Sequence, residues 1–378
     1  MKKCIVVSDS FKGTVSSREI CEIAQRVIPR HFPSCEVVCI PVADGGEGTV
    51  DCFIQAVDAQ RVEVTVTNAL GEKSAAAYAR IGELAIIEMA AAAGLPQVGA
   101  LRCPGTATTY GVGELIAHAV HSGCKRILLG LGGSATNDGG CGCAAALGVG
   151  FLDADGQSFV PVGDTLGRIA RIDTAKADEL LRSVEITVMC DVTNPLYGPT
   201  GAAYVFAPQK GADAEKVKSL DAGLRHFGDV IRSQLGIDVS RMPGAGAAGG
   251  MGAGCVALLG GMIQSGIDAV LDVTGFDRQL EGADLVITGE GRIDSQSAGG
   301  KVISGVARRT KAKGIPLIAI AGGIADSAGA VYDIGVSAMF STDRAALPVD
   351  MLGARSPGDY EATLSDIMSL IAIAERFA

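Results

Sequence analysis

Short apolar runs, each followed by a polar or glycine-rich turn and then a helical pattern, occur at both ends of this chain and narrow what it can fold into. Unbroken runs of Val, Ile and Leu suit parallel strands buried on both faces, with helices covering each side. Near the start the runs are residues 4–8, followed by a helix from about 17 to 28, and 37–42, followed by a helix from about 46 to 56. Near the end they are 284–288, with a helix from about 300 to 311, then 316–321, 336–340 and a last helix from about 360 to 377. The middle reads differently: 61–67, 75–81 and 84–89 are separated only by short turns, which is hairpin spacing. A helix at 108–122, strands at 126–129 and 185–190, a helical stretch around 212–235 and a glycine-rich segment at 244–261 follow. The pattern predicts an α/β protein of two domains. A doubly wound parallel-sheet domain is built from both chain ends, 1–60 plus 283–378, and a mixed α/β domain, 61–282, is inserted into it. The length of 378 residues also exceeds one ordinary core.

Composition excludes several function classes. Net charge is −10 and aromatic residues are 4% with no Trp, which disfavours nucleic acid as a partner and a stacking surface for bases or sugars. The eleven cysteines lie in apolar or glycine-rich contexts without a C-x-x-C pair, and four scattered His supply no zinc-like ligand set. They read as reduced, small apolar residues. The strand-like residues 4–7 leave no room for a signal peptide, and no apolar stretch is long enough to span a bilayer. A soluble cytoplasmic protein is expected.

Three stretches set an acid among glycines: Asp44-Gly45-Gly46-Glu47-Gly48-Thr49, Asp138-Gly139-Gly140-Cys141-Gly142 and Thr288-Gly289-Glu290-Gly291-Arg292-Ile293-Asp294. Clustered glycines weaken a core but let backbone N–H groups approach a ligand, and a carboxylate beside them can cap a helix, hold a metal or take a proton. The first and third clusters follow predicted strands, as does Ser8-Asp9-Ser10-Phe11-Lys12-Gly13-Thr14. In open parallel sheets ligands bind beyond such strand ends. Ser16 and Glu19 form a capping box, while Lys12, near a helix N-terminus, is placed for a phosphate or carboxylate. Asp44 is either a helix cap or a site acid.

Gly132-Gly133-Ser134-Ala135-Thr136-Asn137-Asp138-Gly139-Gly140 combines free amides, hydroxyls, an amide side chain and a carboxylate. That is the chemistry of an anion nest beside a Mg²⁺–phosphate shell. Asp191, in the loop after strand 185–190, is a candidate base or metal ligand. Glu290, Asp294 and Lys301 form a last set, whose Gly-Lys ending lacks the earlier glycine and the hydroxyl of a Walker A loop. Gly244–Gly249 matches G-x-G-x-x-G, but no apolar strand precedes it and no acid-ended strand follows.

In order and wording these segments resemble the bacterial glycerate kinases of the type-1 family, over essentially the whole chain. Gly-Gly-Ser-Ala-Thr-Asn-Asp-Gly-Gly and Thr-Gly-Glu-Gly-Arg-Ile-Asp are the most specific stretches. The resemblance implies a flavodoxin-like domain, a site between the domains, and Mg²⁺-dependent phosphorylation of D-glycerate by ATP. The product implied is largely 2-phosphoglycerate, in glyoxylate, glucarate or galactarate breakdown. Phosphoryl transfer then needs a carboxylate to take the hydroxyl proton, a metal and cations. Catalytic candidates are Asp191, Lys12, Asp44 and Asp138. Nucleotide-binding candidates are Gly132, Gly133, Ser134, Thr136, Asn137, Gly139, Glu290, Arg292 and Lys301, and metal candidates are Asp138, Asp191 and Asp294. A homodimer is compatible with this reading. Formation of 3-phosphoglycerate, an NAD-dependent hydroxy-acid oxidoreductase and a silent nucleotide-binding module stand as alternatives.

Overall fold

The structure, a computed structural model, describes residues 1–11, 13–42, 50, 53–54, 59–299, 302–345, 353 and 355–377. Among these the strands are β1 (Lys3–Ser8), β2 (Glu36–Pro41), β3 (Gln60–Thr67), β4 (Lys73–Ile81), β5 (Leu84–Glu88), β6 (Arg126–Gly130), β7 (Gly150–Leu152), β8 (Arg171–Asp173), β9 (Glu185–Met189), β10 (Met262–Gln264), β11 (Leu285–Ile293), β12 (Leu317–Ile324) and β13 (Ala338–Ser341). The chain divides into two compact units, one holding its ends (Met1–Ala43 and Ser265–Ala378) and one its middle (Asp58–Gln264).

In the unit of the chain ends all strands are parallel, in the order β2-β1-β11-β12-β13. This is the flavodoxin-like doubly wound order, and its direction of growth reverses between β1 and β11. Both faces are covered. Cys4, Val6, Leu285, Ile287 and Ile320 pack under helices Ser17–His31 and Ser356–Ala374. The alternate residues Ile5, Val7 and Val286 are just as buried, on the side of helix Val302–Lys313. Each such side chain contributes about 1.5–3 kcal/mol on burial, which is why the runs read as continuously apolar.

The capping box forms as expected. Glu19 N–H donates to Ser16 Oγ at 3.2 Å, and Ser16 N–H donates to Glu19 Oε2 at 2.8 Å. Ser17 Oγ donates to the Ser8 carbonyl at 2.6 Å and accepts from Val42 N–H at 3.0 Å, so one hydroxyl ties the carboxyl ends of β1 and β2 together.

Two expectations are corrected here. The strand expected at 284–288 does not stop at the third acidic-glycine cluster; β11 runs through it to Ile293, paired with β12 as far as Ile324. The glycines serve close strand pairing rather than a turn. A Cβ on Gly289 would lie 2.2 Å from the Ile320 carbonyl oxygen, and one on Gly322 2.6 Å from that of Gly291. The compact unit of the chain ends also takes in residues 265–282, which the sequence pattern gave to the insertion. Arg309 supplies the reason: its guanidinium donates to Asp272 at 2.7 Å and Asp277 at 2.9 Å, and lies 3.4 Å from Asp268. It thereby binds helices Gly266–Val273 and Phe276–Gln279 to helix Val302–Lys313.

The unit of the middle has a mixed sheet in the order β10-β9-β6-β5-β4-β3. β3, β4 and β5 are antiparallel through the two short turns, whereas β5, β6, β9 and β10 are parallel. Helix Tyr110–His121 makes the crossover between β5 and β6 that parallel neighbours require. Tyr78, Ile87, Leu115, Leu129, Val188 and Phe227 are in its core. β7 and β8 pair separately.

The glycine-rich segment becomes helix Ala247–Leu259, entered through a turn of opposite hand in which φ is 52° at Ala248, 69° at Gly249 and 90° at Gly250. This helix packs backbone against backbone on the loop after β6. A Cβ on Gly254 would lie 2.1 Å from the Gly139 carbonyl oxygen, and one on Gly249 2.1 Å from that of Thr136. The G-x-G-x-x-G match therefore serves helix–loop packing. Among the described residues no helix is long and apolar enough to cross a membrane.

Gly254→Ala should accordingly destabilise the protein by about 2–4 kcal/mol, because two backbones must separate. Gly314→Ala, where φ is +68° but no atom lies within 4 Å, should cost only about 1 kcal/mol. Equilibrium urea unfolding followed by circular dichroism measures both, and equal effects would contradict the packing argument.

Candidate functional site

β6 and β9 are parallel neighbours, and a cavity of about 430 Å³ opens at their carboxyl ends. Gly132, Gly133 and Ser134 reach it from the loop after β6, Cys190 and Asp191 from the end of β9, and Lys210 from the turn Pro208–Lys210. Ala248, among the described residues the non-glycine one with positive φ, is also on the wall. A left-handed alanine costs about 1–2 kcal/mol, and such strain persists where the surroundings enforce it.

The loop after β6 is held at two points. Leu95 N–H donates to the Gly133 carbonyl and Ala135 N–H to the Ala93 carbonyl, both at 2.8 Å. The N–H groups of Gly132, Gly133 and Ser134 donate to no backbone carbonyl among the described residues. Gly133 has φ of +73°, the left-handed conformation that one residue of an anion nest adopts.

Asp138 forms the second anchor and is fully buried. Its carboxylate accepts from Thr109 N–H and Thr109 Oγ1, both at 2.8 Å, from Gly140 N–H at 3.1 Å and from Gly142 N–H at 3.3 Å. Burial pushes its carboxyl above the ordinary aspartate value, and these hydrogen bonds pull the other way. Expected as a metal ligand or reacting acid, Asp138 has its oxygens engaged by these four hydrogen bonds and is not on the cavity wall. Thr136 and Asn137 are likewise buried beneath the loop. Thr136 Oγ1 and both side-chain amide atoms of Asn137 have no hydrogen-bond partner among the described residues.

Lys210 was not singled out by the sequence reading. Its side chain is fully buried, and Nζ donates to Ser134 Oγ at 2.6 Å and to the Thr136 carbonyl at 2.7 Å. Burial pulls its ammonium down to about 7, opposed by the charge of Asp138. The available signal was a lysine between Pro208 and Gly211 directly after the apolar helix Ala202–Phe206. A charge in a tight turn reads by default as a solvated one.

Asp191 is exposed on the cavity wall, in the loop after β9. The loop is fixed downstream, where Asn194 Nδ2 donates to the Thr200 carbonyl at 2.8 Å and Gly246 N–H to the Asn194 carbonyl at 3.0 Å. Burial raises the thiol of the neighbouring Cys190, which keeps it protonated.

Other site candidates lie in the unit of the chain ends, around the switch point of its sheet. Ser8 pairs with Gly289 there, and Asp9 N–H donates to the Gly289 carbonyl at 2.9 Å. Glu290 is buried and accepts from Ser297 Oγ, whereas Arg292 is exposed on the same strand. Asp294 caps the short turn Ser295–Ala298 by accepting from Gln296 N–H at 2.8 Å. Lys12, Asp44, Lys301 and the whole first acidic-glycine cluster lie outside the described residues. Among the described residues no three His, Cys, Asp or Glu side chains converge to hold a metal ion.

The comparisons with known proteins agree over the length of the chain. A family model described as "Glycerate kinase family" matches residues 4–372. A glycerate kinase of Bacillus cereus is 45% identical over 377 residues, 99% of each chain. The glycerate 2-kinase of Escherichia coli is 44% identical over 342 residues, 90% of each chain. A crystal structure from Salmonella typhimurium LT2, whose description gives glycerate kinase 2 as a provisional name, superposes with a TM-score of 0.87 at 39% identity, covering 99% of both chains.

Asp138→Asn should lower stability by about 2–4 kcal/mol, since an amide presents a donor to N–H groups that need an acceptor. Unfolding midpoints of parent and variant test this; an unchanged midpoint would return Asp138 to the chemistry. Lys210 gives a pH signature. Its folded value of about 7 lies below the ordinary 10.5, so the unfolded chain holds a proton that the folded chain releases. Stability should therefore rise between pH 7 and 10 by roughly 1 kcal/mol per pH unit from this group, and Lys210→Met should lack that increment.

Proposed function

The chain belongs to the glycerate kinase family, and on that premise we propose that it transfers the terminal phosphoryl group of ATP to D-glycerate, forming 2-phosphoglycerate. The observation that carries the reading is the cavity at the ends of β6 and β9, where Gly132, Gly133 and Ser134, whose amides donate to no backbone carbonyl among the described residues, are on one wall and an exposed carboxylate, Asp191, on another. Phosphoryl transfer asks for little else: an oriented hydroxyl, a proton acceptor, and donors aimed at the oxygens that gain charge.

In this reading Asp191 accepts the proton of the attacking glycerate hydroxyl as the oxygen bonds to phosphorus and the bond to ADP breaks. The amides of Gly132, Gly133 and Ser134 receive phosphoryl oxygens. Lys12, Arg292 and Lys301 are the proposed further cations, Asp44 a further acid, and Glu290 and Asp294 the groups for the nucleotide's ribose or the metal. Mg²⁺ fits the donors present in its usual phosphate-bound manner, which needs only one or two protein carboxylates. Asp294 would hold it, or Asp191 in place of its role as base; among the described residues Thr136 Oγ1 and the Asn137 side-chain amide have no hydrogen-bond partner. When bound, the metal supplies charge neutralisation on the phosphates. The reaction is assigned to the cytoplasm and to glyoxylate, glucarate or galactarate breakdown. The oxidoreductase alternative loses its motif, because Gly244–Gly249 leads into a helix packed on the loop after β6 rather than out of a strand.

A coupled assay should register ADP release on addition of D-glycerate to enzyme and ATP–Mg²⁺. In ³¹P NMR the product should give a doublet, from the single proton on C2; a triplet would identify 3-phosphoglycerate. Asp191→Asn should lower kcat by about 10²–10⁴-fold, the usual range for a general base, with an unchanged melting temperature. Turnover within tenfold of the parent would remove Asp191 from the chemistry.

A further inference from the structure

We propose that Lys210 is a substrate-binding cation of the cavity, its ammonium acting with the N–H groups of Gly132, Gly133 and Ser134 to hold an anionic group. The inference rests on the kinase reading and adds to it a residue and a charge requirement. An ammonium has three N–H donors, and two are committed, to Ser134 Oγ at 2.6 Å and to the Thr136 carbonyl at 2.7 Å. The third remains for a group in the cavity that Lys210 lines. Ser134 Oγ accepts from Lys210, so its own O–H is also available to donate.

The charges around this amine leave it short of a counter-ion. Among the described residues Lys210 forms no ion pair. Asp138, the acid that acts on it, has its oxygens engaged by Thr109, Gly140 and Gly142. Cys190 carries a thiol raised by burial, and Asp191 is the exposed acid of the wall. Behind the turn, Arg102 donates to the Gln209 carbonyl at 3.1 Å and is a like charge. A buried amine without a counter-ion is costly for folding alone, and a bound anion removes that cost. The chemistry fits either the carboxylate of the hydroxy acid or a phosphoryl group, since both present several acceptor oxygens to an ammonium and a nest of amides.

Isothermal titration of the parent, Lys210→Met and Ser134→Ala with D-glycerate and, separately, with ATP–Mg²⁺ tests the proposal without depending on turnover. Lys210→Met should weaken one of the two ligands by about 30-fold or more, and Ser134→Ala the same ligand by a smaller factor. Loss of D-glycerate assigns the carboxylate to Lys210; loss of ATP assigns a phosphate. The amine loses its proton as pH rises through about 7. The parent's Kd for D-glycerate or ATP, whichever is affected, should therefore climb by up to about tenfold per pH unit above that point, with proton uptake detected in buffers of different ionisation enthalpy. In Lys210→Met the affected Kd should be high and flat. Unchanged affinities for both ligands in a folded Lys210→Met protein, or no binding of either ligand by the parent, would overturn the proposal. Tight Lys210-dependent binding without ADP release would instead overturn the kinase reading and leave the anion site standing.

Discussion

Asp138 takes two hydrogen bonds from Thr109 and one each from the N–H groups of Gly140 and Gly142, all away from solvent. Thr109 Oγ1 in turn accepts from Cys143 N–H at 2.8 Å. One carboxylate thus joins the start of helix Tyr110–His121 to the start of helix Cys141–Ala146 and closes the loop after β6 between them. The rest of the site depends on that closure. With residues 136–140 fixed, helix Ala247–Leu259 can lie backbone on backbone against them, and residues 132–134 can line the cavity.

The electrostatics of this region follow from burial. An unpaired charge in a protein interior costs several kcal/mol, so Asp138 is tolerated because four donors replace its water. Lys210 has only two acceptors, neither of them charged, and burial pulls its ammonium down accordingly. The two groups share one loop but differ in kind: one is satisfied within the fold, and the other is left with unspent donor capacity toward the cavity. An under-satisfied buried charge facing a cavity is a mark of function more than of stability.

Much of the fold was legible in local pattern. The runs at 4–8, 126–129 and 185–190 became β1, β6 and β9 within a residue or two, because burial on both faces demands continuous apolar residues. Ser16 and Glu19 gave the first helix its start, since a capping box is satisfied by neighbours in sequence. The glycine clusters misled where their partners were distant. Glycine before and after Glu290 reads as a turn in one dimension, yet Gly289 admits the Ile320 carbonyl of β12, and Gly322 of β12 admits the Gly291 carbonyl, a pairing the local sequence does not encode.

The sequence by itself determined most of the strands and helices, that the chain ends form a parallel sheet, and which loop is the proposed anion site. These are properties of side-chain periodicity and short-range hydrogen bonding. The tertiary structure decided what each polar group does with its capacity. Asp138 and Asp191 are both acids in loops that follow a strand, but packing seals one beneath four donors and leaves the other on a cavity wall. Lys210, unremarked in its turn, is a buried amine because Ser134 and Thr136, about seventy-five residues earlier, fold onto it. Solvation sets the behaviour of a charge, and solvation exists only once the chain is packed.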